Sequence, residues 1–227
     1  NAMDENASNT GWKQIFRTMV PDVLLRERQL FLRLGPKAGP IYARLRLLDT
    51  VGVHSPNIGK VPGNAQSFLF VCFGNIMRSP MAEAMFRKAA SQASLATLRV
   101  CSAGVHAING SQAHPMAMEA SQELGLPLSQ HRAQLLTPDL VSEADVIFVM
   151  DFQNKAEVLA LYPEARQKVL MLSAYAENAH RYREIPDPYF GDLETTRRCY
   201  AVLDTCIRNL MAELAVHSAD AAAPVSR

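Results

Sequence analysis

A short apolar segment leads into a glycine-containing loop and then into a helix-like segment, and this order limits the folds open to the chain. Ser67–Cys72 has the composition of a short buried strand, whereas Pro80–Ala93 opens with proline and repeats apolar side chains at helical spacing. The alternation continues, with further strands predicted at residues 98–102, 145–150 and 168–172. Strands that alternate with helices predict an α/β domain.

Further helices are predicted between and after these strands. The patterns place them at residues 115–124, 151–162 and 193–214, and the apolar stripe of the last one is typical of a helix that packs on a core. The chain has 227 residues, of which 48% are hydrophobic, so it can bury a sizeable core. The sequence contains no internal repeat, zinc-binding spacing or nucleotide-binding glycine pattern, so no metal or cofactor is predicted.

The loop after the first strand places a cysteine, five residues and an arginine in order. Backbone N–H groups of such a loop, with the positive end of the following helix, can bind a tetrahedral dianion and favour a thiolate at Cys72. Arg78 can grip two oxygens of that anion with its planar guanidinium group. Gly74 allows close backbone approach, Asn75 tolerates unusual backbone angles, and Ser79 can donate to the sulfur. The spacing alone also arises by chance, and a cysteine that ends a buried strand is usually a small core residue.

The segment from Cys72 to Ala84 resembles the signature of the low-molecular-weight protein tyrosine phosphatases. Three further landmarks follow in that family's order, namely Ser102-Ala103-Gly104, His131-Arg132 and Asp187-Pro188-Tyr189, so the likeness spans about residues 67–214. The resemblance implies a three-layer α/β fold, with a four-stranded parallel sheet and helices on both faces. It also implies hydrolysis of phosphotyrosine through a phosphocysteine intermediate.

The resemblance assigns a role to each matching residue. Cys72 would be the nucleophile, Arg78 the clamp for the phosphate and the transition state, and Asp187 the general acid and then general base. Ser79 would tune the thiolate. Without the family match, Asp187-Pro188 is typical of a simple surface turn.

Other matching positions would support the loop or line its entrance. Within the loop, the residues expected to bind phosphate or hold its shape are Phe73, Gly74, Asn75, Ile76 and Met77. Outside the loop, Ser102 and His131 would brace it by hydrogen bonds, although a histidine beside Arg132 could equally be a solvated loop residue. Tyr189 and Phe190, with Phe73, would wall an apolar entrance that suits a phenyl ring, or else belong to the core.

Met77 is a departure from the family pattern. Many members carry a second cysteine there, close enough to the nucleophile to form a protective disulfide when it is oxidised. That protection is missing here, and the hydrolytic chemistry does not need it. Cys101, on the second predicted strand, could substitute, but a strand cysteine is more often packed in the core.

The other departure is a long segment before the first strand. We expect residues 1–66 to form a helical extension and linker, with the linker at residues 54–66, where prolines and glycines accumulate. Asn1–Met3 is typical of a cloning remnant before a native start and is set aside. The catalytic domain is expected at residues 67–215, and a flexible tail at residues 216–227.

Residues 12–50 of the extension are rich in arginine and leucine. Their pattern predicts short basic amphipathic helices at Val23–Leu34 and Ile41–Leu48, separated by a break at Gly35, Pro36 and Gly39. Such helices can lie on an anionic membrane surface, dock a partner protein or pack onto the catalytic domain. Packing is the favoured alternative, because the prolines interrupt any long apolar face.

Net charge and cysteine content limit the possible partners and the cellular location of the protein. A net charge of +1 gives no case for nucleic-acid binding, and no run of about 18 apolar residues or secretory signal is visible. Four cysteines without paired short spacings favour reduced thiols and a cytoplasmic location. The partner implied by the resemblance is a phosphotyrosine-containing protein, such as a bacterial tyrosine kinase.

Two alternatives stay open from the sequence. Arsenate reduction occurs on the same fold, but its thiol-relay form needs two more cysteines after the third strand, and residues 151–163 contain none. A non-catalytic phosphotyrosine binder or regulatory subunit would act through the N-terminal helices. That alternative predicts an Asp187 far from the Cys72 loop.

Overall fold

A computed structural model describes residues 22–53, 60–177 and 183–222. The predicted cloning remnant, the start of the basic segment, the first half of the predicted linker and the last five residues lie outside these ranges. The helices are α1 (Asp22–Thr50), α2 (Arg78–Gln92), α3 (Pro115–Glu123), α4 (Pro138–Glu143), α5 (Phe152–Leu161) and α6 (Leu193–Ala222), and the strands are β1 (Ser67–Cys72), β2 (Arg99–Gly104), β3 (Val146–Val149) and β4 (Val169–Met171). Short 3₁₀ helices lie at Pro163–Gln167, Leu172–Tyr175 and Pro188–Phe190.

The four strands form one parallel sheet in the order β2-β1-β3-β4, which confirms the predicted fold class. The chain leaves β1 for one neighbour, β2, and later returns to the other side as β3. Such a reversal opens a crevice at the carboxyl ends of the two central strands, where ligands bind in open α/β sheets. Cys72 ends β1, and Asp151 follows shortly after β3, so both lie at this crevice.

Side chains of β1 alternate between two cores, one on each face of the sheet. Phe68, Phe70 and Cys72 pack with Phe86 of α2 and with α6, whose buried stripe of Tyr200, Leu203, Ile207, Leu210 and Leu214 is the predicted one. Leu69 and Val71 point to the other face and join the core under α5. Because every residue of β1, β3 and β4 is buried, helices must cover both faces of the sheet.

The extension contributes a further covering helix. Helix α1 runs from Asp22 to Thr50 with a single kink at Gly35, whose φ of 71° lies in the left-handed region. The predicted break is therefore confined to Gly35, because Pro36 begins the second segment and tolerates a first-turn position. After the kink, Ala38, Tyr42 and Leu45 are buried in the core that also contains α5.

The linker and the tail differ from expectation. Val61 and Ala65, within the second half of the predicted linker, are buried in the core on the α2 face. The side chain of Asp145 accepts the N–H groups of Gln66 and Ser67 at 2.8 and 2.9 Å, which fixes the entry into β1. The predicted tail is helical as far as Ala222, because α6 continues beyond its buried stripe.

No helix within residues 22–53, 60–177 and 183–222 has the length and apolar character that crossing a membrane requires.

Candidate active site

The Cys72 sulfur lies where β1 gives way to the loop. It accepts a hydrogen bond from the backbone N–H of Asn75 at 3.3 Å and lies 3.1 Å from the Ser79 hydroxyl. The Ser79 oxygen already accepts a bond from the Asn75 side-chain amide at 2.9 Å, so its own proton is available to the sulfur or to the Ala103 carbonyl. The Asn75 N–H is thus one donor to the sulfur, and the Ser79 hydroxyl can be a second.

Asn75 is the residue that ties the loop together. It is fully buried, and its φ of 54° lies in the left-handed region that asparagine tolerates. Its side-chain amide donates to Ser102 at 2.9 Å as well as to Ser79, and its side-chain oxygen accepts the Gln134 N–H at 2.9 Å. His131 Nε2 donates to the Asn75 carbonyl at 2.7 Å. The structure thus brings together the three predicted bracing residues.

Glu83 and Gln134 extend this network and were not predicted from the sequence. The Ser102 hydroxyl donates to Glu83 Oε2 at 2.7 Å, and the Gln134 side-chain amide donates to the Ser102 carbonyl at 2.7 Å. Glu83 lies four residues after Ser79 on α2, so the two side chains share one face of the helix. This spacing could have indicated that Glu83 belongs to the same network as Ser79. No local pattern marks Gln134.

Gly104 lets β2 pass close beneath the loop. A Cβ at this position would lie 2.7 Å from the Asn75 nitrogen, 2.8 Å from the Gly74 carbonyl carbon and 2.8 Å from the Phe73 oxygen. All three are backbone atoms, which cannot move aside individually. Gly74 is different, because a Cβ there would meet only the Ile76 side chain, at an ordinary 3.5 Å. Crowding by other protein atoms therefore explains glycine at 104 and not at 74.

Substituting Gly104 with alanine should displace the loop and weaken anion binding. We expect a loss of about 1–3 kcal/mol in the free energy of unfolding, because the added methyl group overpacks a backbone contact. The inhibition constant for vanadate should rise at the same time. The matched control is Gly63→Ala, whose Cβ would meet only His217 at 3.9 Å. A Gly104→Ala protein with unchanged stability and vanadate inhibition would contradict the role of this contact.

Arg78 is 1% exposed and opens α2. Its Nη1 donates to Asp151 Oδ2 at 2.7 Å and to the Ile185 carbonyl at 3.0 Å, and its Nη2 donates to Asp187 Oδ2 at 2.5 Å. Burial opposes the charge on the guanidinium group, but the two carboxylates outweigh burial and raise the pKa of Arg78 above its ordinary value. A permanent cation therefore lies beneath the loop, and Asp151 is a partner that was not predicted from the sequence.

Asp187 lies at the start of the 3₁₀ helix Pro188–Phe190. Its Oδ1 accepts the Tyr189 N–H at 3.2 Å and caps that helix, while its Oδ2 contacts Arg78. The side chain is 39% exposed, so the carboxyl group contacts both the buried Arg78 and solvent. A group in this position can exchange protons with both a bound substrate and water.

Aromatic side chains surround the loop entrance. Tyr189 packs edge-on against His114 and Phe190, with ring centroids 5.4 and 4.9 Å apart, and Phe73 lies 4.5 Å from the His106 ring. Phe190 is 96% exposed, which excludes the core alternative for this residue. Two loop residues differ in burial: Met77 is buried in the core, whereas Ile76 is half-buried.

Cys101 is too far along the sheet to replace the missing second cysteine. Cys101 pairs with Leu69 of β1, and Cys72 lies three residues further along β1 than Leu69. That offset is about 10 Å, and a disulfide requires Cα atoms within about 7 Å. Burial and the neighbouring Glu83 raise the pKa of Cys101 to about 11, which also disfavours its thiolate. A direct Cys72–Cys101 disulfide would need backbone movement.

Sequence comparison finds relatives of this chain that are named as phosphatases. A probable low molecular weight protein-tyrosine-phosphatase, EpsP of Ralstonia nicotianae, is 41% identical over 124 residues, which cover 55% of this chain and 79% of EpsP. The protein-arginine-phosphatase of Bacillus subtilis is 34% identical over 146 residues, which cover 64% of this chain and 95% of that protein. Both names describe phosphatases.

Structural and family comparisons agree with the sequence relatives. The tyrosine phosphatase Wzb of Escherichia coli K30, solved in complex with sulphate, superposes with a TM-score of 0.60 at 29% identity and covers 66% of this chain and 99% of its own. The sequence profile of one family matches residues 67–219, which is two thirds of the chain and includes the loop, its bracing residues and Asp187. The chain therefore belongs to the low molecular weight phosphotyrosine protein phosphatase family.

Proposed function

We propose that the protein hydrolyses phosphotyrosine in proteins, and small aryl phosphates, through a phosphocysteine intermediate. The observation that carries the proposal is the position of the buried Arg78, which forms an ion pair with the Asp187 carboxyl group and interacts electrostatically with Cys72. Family membership supports phosphatase chemistry. The contact between Asp187 and Arg78 argues against a non-catalytic binder, for which Asp187 would lie away from the loop.

The first step transfers the phosphoryl group to Cys72. The thiolate attacks phosphorus, the bond from phosphorus to the tyrosine oxygen breaks, and Asp187 gives its proton to the departing oxygen. A phenol has a pKa of about 10, so its anion is a poor leaving group that benefits from this proton. In the second step, Asp187 takes a proton from water, which attacks phosphorus and releases phosphate and the Cys72 thiolate.

Arg78 can hold the phosphoryl group without giving up its carboxylate partners. Its three contacts with Asp151, Ile185 and Asp187 use two N–H groups of Nη1 and one of Nη2. A guanidinium group has five N–H donors, so one on Nε and one on Nη2 remain for two phosphoryl oxygens. Charge that develops on those oxygens in the transition state is then stabilised by a fixed cation.

Aromatic rings at the entrance favour tyrosine as the phosphorylated residue. Phe73, Tyr189 and Phe190 offer edges and faces against which a phenyl ring can pack. Phosphoarginine is the second candidate, because the Bacillus subtilis relative is named for that activity and is aligned over nearly its whole length. Beside the Phe73 and His106 rings, the described structure places the carboxylate of Glu157, which His106 already contacts at 2.8 Å. The second oxygen of Glu157 is buried and has no hydrogen-bond partner among the described residues, so it is the acceptor that a phosphoarginine side chain would have to reach.

Peptides that differ only in the phosphorylated residue can decide between these substrates. We expect kcat/KM for the phosphotyrosine peptide to exceed that for the phosphoarginine peptide by at least about 10-fold, with EDTA present and with inhibition by vanadate. The reverse ratio would overturn the tyrosine assignment and retain the phosphatase chemistry. Phosphate release should be measured at several substrate concentrations, so that kcat and KM are separated.

The substrate in the cell is proposed to be a phosphotyrosine protein in a reducing compartment. All four cysteines are free, including the partly buried Cys101 and the fully buried pair Cys199 and Cys206. An enzyme that depends on a thiolate also needs reducing conditions, which supports a cytoplasmic location. An autophosphorylated bacterial tyrosine kinase is the protein substrate that the family resemblance suggests.

A further inference from the structure

The second half of α1 is packed against α5 although it lies outside the region matched by the family, which begins at residue 67. Ala38, Tyr42 and Leu45 are each no more than 5% exposed and share a core with Phe152 and Ala156 of α5. Helix α1 is therefore fixed on the element whose first turn lies beside the candidate active site.

A polar network accompanies this apolar contact. Arg46 of α1 donates from Nη2 to Glu27 Oε1 at 2.8 Å and from Nη1 to Glu184 Oε2 at 3.2 Å. Tyr42 holds the other Glu27 oxygen at 2.6 Å, and the Arg46 guanidinium carbon lies 5.8 Å from the centre of the Phe152 ring. Glu27 and the Phe152 ring thereby orient Arg46, and its hydrogen bond to Glu184 reaches the segment that carries Asp187.

Glu184 joins that segment to the start of α5. Its Oε1 accepts the Phe152 N–H at 2.9 Å, and the next residue, Ile185, donates its own N–H to the Met150 carbonyl at 2.8 Å. The residues next to these two contacts bind Arg78. Asp151, which precedes Phe152, accepts a hydrogen bond from Arg78 through its side chain, and Ile185, which follows Glu184, accepts one through its carbonyl group. The side chain of Glu184 thus connects the two segments that orient the clamp.

We infer that Arg46 is a positioning residue for the reaction, which holds Glu184 and thereby fixes the Asp187 segment against the start of α5. This inference rests on the proposed function. Arg46 touches no reacting atom, so its effect passes through Glu184 to the alignment of Arg78 and Asp187. The extension is then part of the catalytic apparatus of this protein.

Charge explains why Glu184 needs the arginine. Burial raises the pKa of Glu184, the Phe152 N–H opposes that rise, Asp151 adds to it and Arg46 opposes it. Glu27 is a further nearby carboxylate that raises the pKa. Without Arg46, Glu27 and Glu184 would lose the cation that they share, and the segment that carries Asp187 would be held less firmly against α5.

The test uses two substitutions of Arg46 in the full chain. Arg46→Met should lower kcat/KM for an aryl phosphate with a poor leaving group by about 10-fold, while kcat/KM with a good leaving group stays within about twofold, because proton donation depends most on alignment. Arg46→Lys keeps a cation near Glu184 and should restore much of the loss. The matched control is Arg44→Met, which removes the same charge from the exposed face of α1.

A second variant and a second readout keep the inference testable if Arg46→Met is unstable. Glu184→Gln retains an acceptor for the Phe152 N–H but weakens the contact with Arg46, and should show the same dependence on the leaving group. Hydrogen exchange at the Phe152 and Ile185 amides should accelerate in both variants, while exchange in β3 stays unchanged.

Outcomes separate the inference from the proposed function. If wild type and Arg44→Met are active and Arg46→Met matches them with both substrates, the inference is overturned and the function stands. A lowered melting temperature with no change in kcat/KM would also overturn it. If the wild type hydrolyses no phosphate ester, the proposed function fails, and the role of Arg46 in positioning for that reaction fails with it.

Discussion

Replacing Cys72 with serine is expected to lower kcat for aryl phosphate hydrolysis by about 10⁴-fold or more and to leave the fold intact. A serine hydroxyl is not ionised near neutral pH and is a far weaker nucleophile than the thiolate that the proposed mechanism requires. The Asn75 N–H and the Ser79 hydroxyl are the hydrogen-bonding groups next to the Cys72 sulfur, at 3.3 and 3.1 Å. The same donors can bond a hydroxyl group, and serine is nearly isosteric with cysteine. Stopped assays at high enzyme concentration, with the melting temperature measured in parallel, would quantify both effects.

The control for this substitution is Cys101→Ser, which changes a thiol on the neighbouring strand outside the loop. Its kcat should stay within about twofold of wild type. Vanadate should still protect the folded Cys72→Ser protein against thermal unfolding if the loop is intact. Vanadate-sensitive turnover that survives in Cys72→Ser would mean that another group attacks phosphorus.

Substitution of Asp187 with asparagine is expected to separate substrates by their leaving groups. With phenyl phosphate, whose leaving group has a pKa of about 10, kcat/KM should fall by about 10²–10³-fold, because no acid remains to protonate the phenolate. With a nitrophenyl phosphate, whose leaving group needs little help from a proton, the fall in kcat/KM should stay below about 10-fold. An asparagine oxygen can still accept a bond from Arg78, so the clamp should survive.

Asp192→Asn provides the matched control, because it removes the same charge from an exposed aspartate slightly further along the chain. Asp192 accepts the Thr195 N–H at 2.8 Å at the start of α6, and asparagine caps helices about as well as aspartate. Rates for both substrates should be close to wild type. An equal loss of kcat/KM with both leaving groups in Asp187→Asn would remove the general-acid assignment and leave a role in orienting Arg78.

Local contacts of the loop could be predicted from the sequence because they depend on neighbours within a few residues. Asn75 bonds the sulfur three residues before it and the hydroxyl four residues after it, and the strand and helix that flank the loop have clear patterns. The start of α2 was predicted two residues late, at Pro80, because proline is equally acceptable anywhere in the first turn, where N–H groups have no helical partner.

The partners of Arg78 could not be predicted in this way. Asp151 is 73 residues and Ile185 is 107 residues away along the chain, and Arg46 is 138 residues from Glu184. No spacing or periodicity encodes contacts at such separations, because they arise only when the sheet order brings β3 beside β1. Basic residues in α1 look alike in the sequence, and only packing distinguishes the half-buried Arg46 from the exposed Arg44.

Val61 and Ala65 pack in one core with Phe70 and Phe86, although both precede residue 67, where the family match begins. A truncation at residue 66 would follow that match, yet it would leave cavities beneath α2 and remove the apolar cover that α1 gives to α5. The boundaries of the family match are therefore not the boundaries at which this chain can be cut without exposing its core.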